Sequence, residues 1–197
     1  MMLKEGEYAV PKGHLAAVVT HLEMTAPAMT APKPFPQDVT ATCETPDIAS
    51  YRALFRAVGD PWLWTSRHLV PDDALSAILT DRAVEIWIIR QGDAMIGFVE
   101  LDFRTAGECA LAYFGLIPAA TGQGLGGPMM ALAQRQAFSR EISRFHVHTC
   151  SLDAPGALAF YQRTGFVPYK AEVDIFPDPR LRGVIHPTQA KHVPCLP

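Results

Sequence analysis

The sequence predicts a single α+β domain of 197 residues, built on one mixed, mostly antiparallel sheet with helices on both faces. Three observations predict it. Residues 84–90, 94–103 and 111–117 are apolar runs separated by the tight turns Gln91-Gly92-Asp93 and Arg104-Thr105-Ala106-Gly107, which makes an antiparallel meander. The run at 111–117 is followed by Pro118, by four glycines between Gly122 and Gly127, and by Pro128, a residue tolerated only in the first turn of a helix. After that helix, which reaches about residue 138, Phe145, Val147 and Thr149 alternate with His146 and His148 as a strand. A right-handed crossover then sets this strand parallel to 111–117.

The remaining elements follow in order. Residues 15–20 are a β-branched run that continues toward Met24 and is expected to open the sheet. Residues 25–46 carry Pro27, Pro32, Pro34, Pro36 and Pro46 and read as an extended connector. Thr45-Pro46-Asp47 offers cap chemistry before Ile48, Tyr51, Leu54, Phe55 and Val58, whose spacing draws one face of a helix ending near Gly59. Residues 60–64 form an aromatic turn, and 71–79 a second helix with Asp72 and Asp73 in its first turn. Pro155 starts a helix that Gly165 ends, and 167–176 is a last strand. The tail at 177–197, rich in Pro, His and Arg, is expected to pack loosely.

The glycine turn carries the chemistry. Four glycines leave almost no side chain in the way, so backbone N–H groups can approach an anion closely, and the positive end of the following helix dipole points at the same spot. The arrangement reads as a phosphate site made of main chain. Gly122, Gly124 and Gly127 also satisfy the dinucleotide fingerprint G-x-G-x-x-G, with Asp153 near the end of the next strand. A dinucleotide fold needs βαβ units on both sides of the fingerprint, however, and here adjacent strands lie upstream and only about seventy residues downstream.

The same stretch resembles the GNAT N-acetyltransferases. Their signature of Arg or Gln, two residues, Gly, one residue, then Gly or Ala falls on Thr121, Gly124 and Gly126, with Thr121 in place of Arg or Gln. A second family element, a turn that often holds Asn followed by a helix ending in Tyr, three residues and Gly-Phe, falls on Asp153, Ala154, Tyr161, Gly165 and Phe166, with Ala154 where Asn is common. The resemblance spans residues 83–170. It implies acetyl-CoA as co-substrate, a small-molecule or peptide amine as acceptor, direct attack on the thioester, and no metal.

What the resemblance implies for single residues is as follows. The strands at Leu111 and Phe145 splay so that pantetheine reaches the backbone of Gly115, Leu116 and Ile117. Thr121, Gly122, Gln123, Gly124, Leu125, Gly126 and Gly127 hold the pyrophosphate, and Asp153 and Tyr161 stand beside the arm. Tyr161 occupies the position of the acid that returns a proton to the leaving thiolate, a task suited to a phenol with an ordinary pKa near ~10. Glu100 stands where relatives carry a base or a water-holding carboxylate, Glu108 is a second candidate, and His148 a third. Two other readings stay open: an acyl-CoA-binding module without turnover, given Thr121 and Ala154, and a dinucleotide-binding oxidoreductase.

Composition narrows the partners. A net charge of −3 and a pI near 6.1 provide no basic field, so neither nucleic acid nor an anionic membrane is expected. No apolar run approaches the roughly eighteen residues of a membrane span, and the first residues do not resemble a signal peptide, so the cytoplasm is expected. Cys43, Cys109, Cys150 and Cys195 form no C-x-x-C and are expected reduced. His146 and His148 share a strand face at a spacing compatible with metal, but nothing converges on them. Trp62 and Trp64 either line the acceptor cleft or fill the core. The acceptor's identity and the oligomeric state, a homodimer included, stay open.

Overall fold

A computed structural model gives the structure of residues 3–28 and 34–197; the middle of the Pro-rich connector, 29–33, lies outside the described residues. Seven strands form one sheet among them: β1 (His14–Met24), β2 (Val39–Cys43), β3 (Val84–Gln91), β4 (Ala94–Asp102), β5 (Glu108–Leu116), β6 (Arg144–Cys150) and β7 (Val167–Pro177), in the spatial order β2-β3-β4-β5-β6-β1-β7. The meander β3-β4-β5 is antiparallel, and β5 and β6 are parallel across the helix that follows the glycine turn. One half of the connector thus holds a short strand, β2, paired to β3.

The helices are α1 (Ile48–Gly59), α2 (Ser66–Leu69), α3 (Asp72–Leu79), α4 (Gly126–Ala137) and α5 (Ala157–Arg163). Asp47 caps α1 by accepting hydrogen bonds from the Ser50 amide at 2.9 Å and the Ser50 hydroxyl at 2.7 Å. The face spaced through Tyr51, Leu54, Phe55 and Val58 packs with Leu75 and Leu79 of α3 onto Ile86, Ile88 and Phe98. On the opposite face of the sheet, Met129, Met130 and Leu132 of α4 and Tyr161 of α5 cover Val99, Leu111, Phe145 and Val147. Alternation along β4 explains the two layers: Phe98 faces α1 and Val99 faces α4.

Two sequence expectations are corrected. The N-terminal strand lies inside the sheet, paired to β6 on one side and to β7 on the other. Its apolar residues are buried on both faces, Leu15 and Ala17 on one and Leu22 and Met24 on the other, which an interior position satisfies. The C-terminal tail is anchored rather than loose. Ile185, Ala190 and Val193 join Leu15, Ala17, Leu63 and Leu152 in a third apolar cluster. The buried Arg180 binds Asp178 and donates to the carbonyls of Ala190 at 3.1 Å, Val193 at 2.9 Å and Pro194 at 3.2 Å. Polar composition concealed this because the tail's irregular carbonyls are satisfied by one guanidinium rather than by water.

Candidate functional site

The glycine turn links the one-turn 3-10 helix Pro118–Ala120 to α4. Gly122 and Gly124 have φ of +83° and +79°, the left-handed region that glycine enters without cost. Among the described residues, no hydrogen bond engages the amides of residues 122–127, because the first α4 bond of this turn runs from Met129 to the Leu125 carbonyl. Six consecutive N–H groups are therefore unpaired at the positive end of a twelve-residue helix. Gly122, Gly124 and Gly127 have open space where a Cβ would stand, so a ligand can lie against bare backbone. Two polar side chains of the turn are tied to the backbone before it: Thr121 donates to the Ile117 carbonyl at 3.2 Å and Gln123 to the Ala119 carbonyl at 2.9 Å.

Beside this turn the sheet opens. β5 and β6 pair only at Glu108–Arg144, Cys109–Phe145 and Ala110–His146; beyond them β5 follows β4 and β6 follows β1. The divergence begins where the register of β4 against β5 shifts between Glu100 and Leu101, leaving Ala112 unpaired as a bulge. A cleft of about 660 Å³ fills the resulting V. Gly115, Leu116, Thr121, Gly122, Gly124, Leu125, Gly126, Asp153 and Tyr161 line it, whereas Ile117, Gln123 and Gly127 do not. Gly115 has a packing reason: a Cβ there would stand 2.4 Å from Val58 Cγ1.

The two faces of the V differ. On the α5 side stand Phe114, Phe160 and Tyr161, with Phe114 and Phe160 rings stacked at 5.6 Å. Tyr161 is 8% exposed, and no hydrogen bond among the described residues holds its hydroxyl. Burial, reinforced by the charge of Asp153, pushes that phenol above its ordinary pKa, so it carries its proton at neutral pH. On the α1 side stand Trp62, Trp64, Ser66 and Tyr113, and both tryptophans line the cleft. Asp153 joins the walls: Oδ1 accepts from the Trp64 indole at 2.9 Å, while Oδ2 accepts from Thr149 Oγ1 at 2.7 Å and the Cys150 amide at 2.9 Å.

Glu100 is placed elsewhere. It is fully buried beneath the cleft wall, where Oε1 is ion-paired with Arg67 and Oε2 accepts from the Tyr51 hydroxyl at 2.5 Å. With both oxygens engaged and no surface on the cleft, it cannot reach an acceptor. Its observable effect is on its neighbours. Arg67 stacks over the Tyr113 ring at 5.1 Å, and Tyr113 shares a hydrogen bond with Ser66. Burial works against the Arg67 charge, but Glu100 holds the guanidinium firmly protonated. Glu108 lies at the foot of β5, ion-paired with Arg144 and 3.5 Å from His146 Nε2.

Sequence reading missed Arg67, Tyr51 and Tyr113 as one unit. They come from α2, α1 and β5, and α2 is a four-residue helix with no periodicity to reveal it. Among the described residues, no group of three or more His, Cys, Asp or Glu is placed to hold a metal ion, and no helix is long and apolar enough to cross a membrane.

Comparison with known proteins places this geometry among relatives. Residues 51–166 match the family model described as "Acetyltransferase (GNAT) family". No curated protein matches the chain. A GCN5-related N-acetyltransferase from Kribbella flavida shares the fold at a TM-score of 0.57 and 22% identity, covering 87% of this chain and 63% of that one. A second, from Sphaerobacter thermophilus, does so at 0.62 and 18%, covering 83% and 53%. The ribosomal-protein-S18-alanine N-acetyltransferase from Escherichia coli does so at 0.54 and 15%, covering 71% and 94%. This chain thus spans less than two thirds of the length of the first two.

Proposed function

The chain belongs to the GNAT family of acetyltransferases, and from that premise we propose that it transfers an acetyl group from acetyl-CoA to a small apolar amine by direct attack. The observation that carries this reading is the row of six unpaired amides at residues 122–127, in a turn whose Gly122, Gly124, Leu125 and Gly126 line a V-shaped cleft between two parallel strands. Backbone amides at a helix N-terminus suit a pyrophosphate, and they serve without the Arg or Gln that Thr121 replaces. The extended arm would lie in the V, with its thioester between the two faces.

On the α5 side Tyr161 is the acid that protonates the departing thiolate, since its hydroxyl is unengaged and its proton is retained. On the α1 side the lining is aromatic, and among the described residues the charged side chains that line the cleft as a whole are Asp153 and Asp174, with neither Lys nor Arg. Such a wall attracts a cationic amine with an apolar body and gives a carboxylate- or phosphate-bearing acceptor no counter-charge. Thiol release from acetyl-CoA, followed with 2-phenylethylamine, spermidine, glycine and an alanyl peptide as acceptors, tests the reading. The expected order places 2-phenylethylamine first and glycine last. Release that no acceptor accelerates would favour an acyl-CoA-binding module instead.

A further inference from the structure

A cationic acceptor must lose a proton before it can attack, and Glu100 is sealed away from the cleft. The titratable side chains that line the cleft are Tyr113, His148, Cys150, Asp153, Tyr161 and Asp174. Burial raises the pKa of both tyrosines and of the Cys150 thiol, so all three hold their protons. Both oxygens of Asp153 already accept hydrogen bonds. Asp174 is on β7, two strands removed from the splay. His148 remains, on the very strand whose departure from β5 makes the V.

Its orientation fits. Phe145 and Val147 point into the core beneath α4 and α5, so His146 and His148 project from the opposite face, the one that carries α1 and the two tryptophans. His148 is exposed to the cleft, and among the described residues no hydrogen bond engages its ring. Behind it, on β1, its cross-strand partner His21 lies with ring centroids 5.8 Å away, and Glu172 of β7 holds His21 Nε2 at 2.6 Å. The charged and titratable groups around this pair are Glu23 from β1, Arg144 and His146 from β6, Tyr169, Lys170, Glu172 and Asp174 from β7, and Asp153 from the loop after β6, with the Tyr169 ring 6.0 Å from that of His21.

We propose that His148 is the general base of the transfer and that His21, fixed by Glu172, is a positioning residue that keeps it ready. The assignment rests on the transferase reading above. Desolvation by the cleft walls and the neighbouring His21 hold the His148 imidazole below its ordinary pKa, so it is neutral near pH 7. The ammonium of the acceptor gives one proton to His148, and the freed nitrogen lone pair forms a bond to the acetyl carbon. As the C–S bond breaks, Tyr161 protonates the thiolate from the other face. The second N–H proton leaves the nitrogen cation through water and restores Tyr161, while His148 returns its proton to solvent. The sum is amide, free thiol and one released proton.

The test is the pH profile of kcat at saturating 2-phenylethylamine for the wild-type chain and the variants His148→Gln and His21→Asn, with acetyl-CoA affinity measured for each. His148→Gln is expected to lower kcat by about 100-fold and abolish the acid limb while binding acetyl-CoA normally. His21→Asn is expected to keep the limb and move it to higher pH. An acid limb intact in His148→Gln, or unmoved in His21→Asn, overturns the assignment alone. A wild-type chain that binds acetyl-CoA but accelerates no amine overturns the transferase reading and the base together.

Discussion

The indole N–H of Trp64 donates to Asp153 Oδ1 at 2.9 Å across the cleft, although 89 residues separate the two in the chain. Because Oδ2 of the same carboxylate receives the Thr149 hydroxyl and the Cys150 amide, one side chain fixes the α1 wall to the end of β6. Asp153→Asn leaves the indole an acceptor but turns an amide NH2 toward the Cys150 N–H. The unpaired donors cost about 1–3 kcal/mol, and thermal denaturation is expected to fall by several degrees. An unchanged melting temperature would show that the bridge carries no stability.

Tyr161→Phe removes only the hydroxyl, which no protein group among the described residues engages, so the core around Phe160 and Phe166 keeps its packing. Transfer is expected to slow by about 100-fold while acetyl-CoA affinity stays the same. A loss of affinity matching the loss of rate would assign the phenol to binding instead of proton transfer.

Glu100→Gln separates a structural carboxylate from a catalytic one. It leaves Arg67 buried with its charge uncompensated, so a stability loss of about 3–5 kcal/mol is expected from chemical denaturation. The acid limb of the rate profile is expected to persist in the folded fraction. A stable variant lacking that limb would restore Glu100 as the base.

The tail gives a pH prediction. Burial alone would raise the Asp178 carboxyl, but Arg180 holds it below the usual carboxylate range. A folded pKa below the unfolded one means that the stabilisation is complete above the unfolded value of about 4 and is lost as pH falls through the folded one. Stability lost below about pH 4 should therefore be smaller in Asp178→Asn, as read by denaturation at pH 7 and pH 3. An identical acid sensitivity in the variant would contradict the pairing.

The sequence exposed what is local and periodic. The meander, the α1 face through Tyr51, Leu54, Phe55 and Val58, and the turn from Gly122 to Gly127 are each written within a few residues, and all three stand where expected. What depends on distant partners was concealed. Nothing within residues 15–24 says that they lie between β6 and β7, because β-pairing across more than a hundred residues leaves no local trace. Glu100 reads as a strand carboxylate until Arg67 and Tyr51 arrive from two other elements. The His21–His148 pair likewise exists only through the β1–β6 register.

The most direct test of a main-chain site for the cofactor is calorimetric titration of wild-type and Gly124→Glu chains with acetyl-CoA, with NADH as a control. At φ +79° a side chain strains the turn by about 1–2 kcal/mol, and a carboxylate placed among the free amides repels phosphate. Micromolar binding of acetyl-CoA by the wild type, none by a folded Gly124→Glu variant, and none of NADH by either is the predicted result. Equal acetyl-CoA affinity in both chains, or tighter binding of NADH, would contradict it.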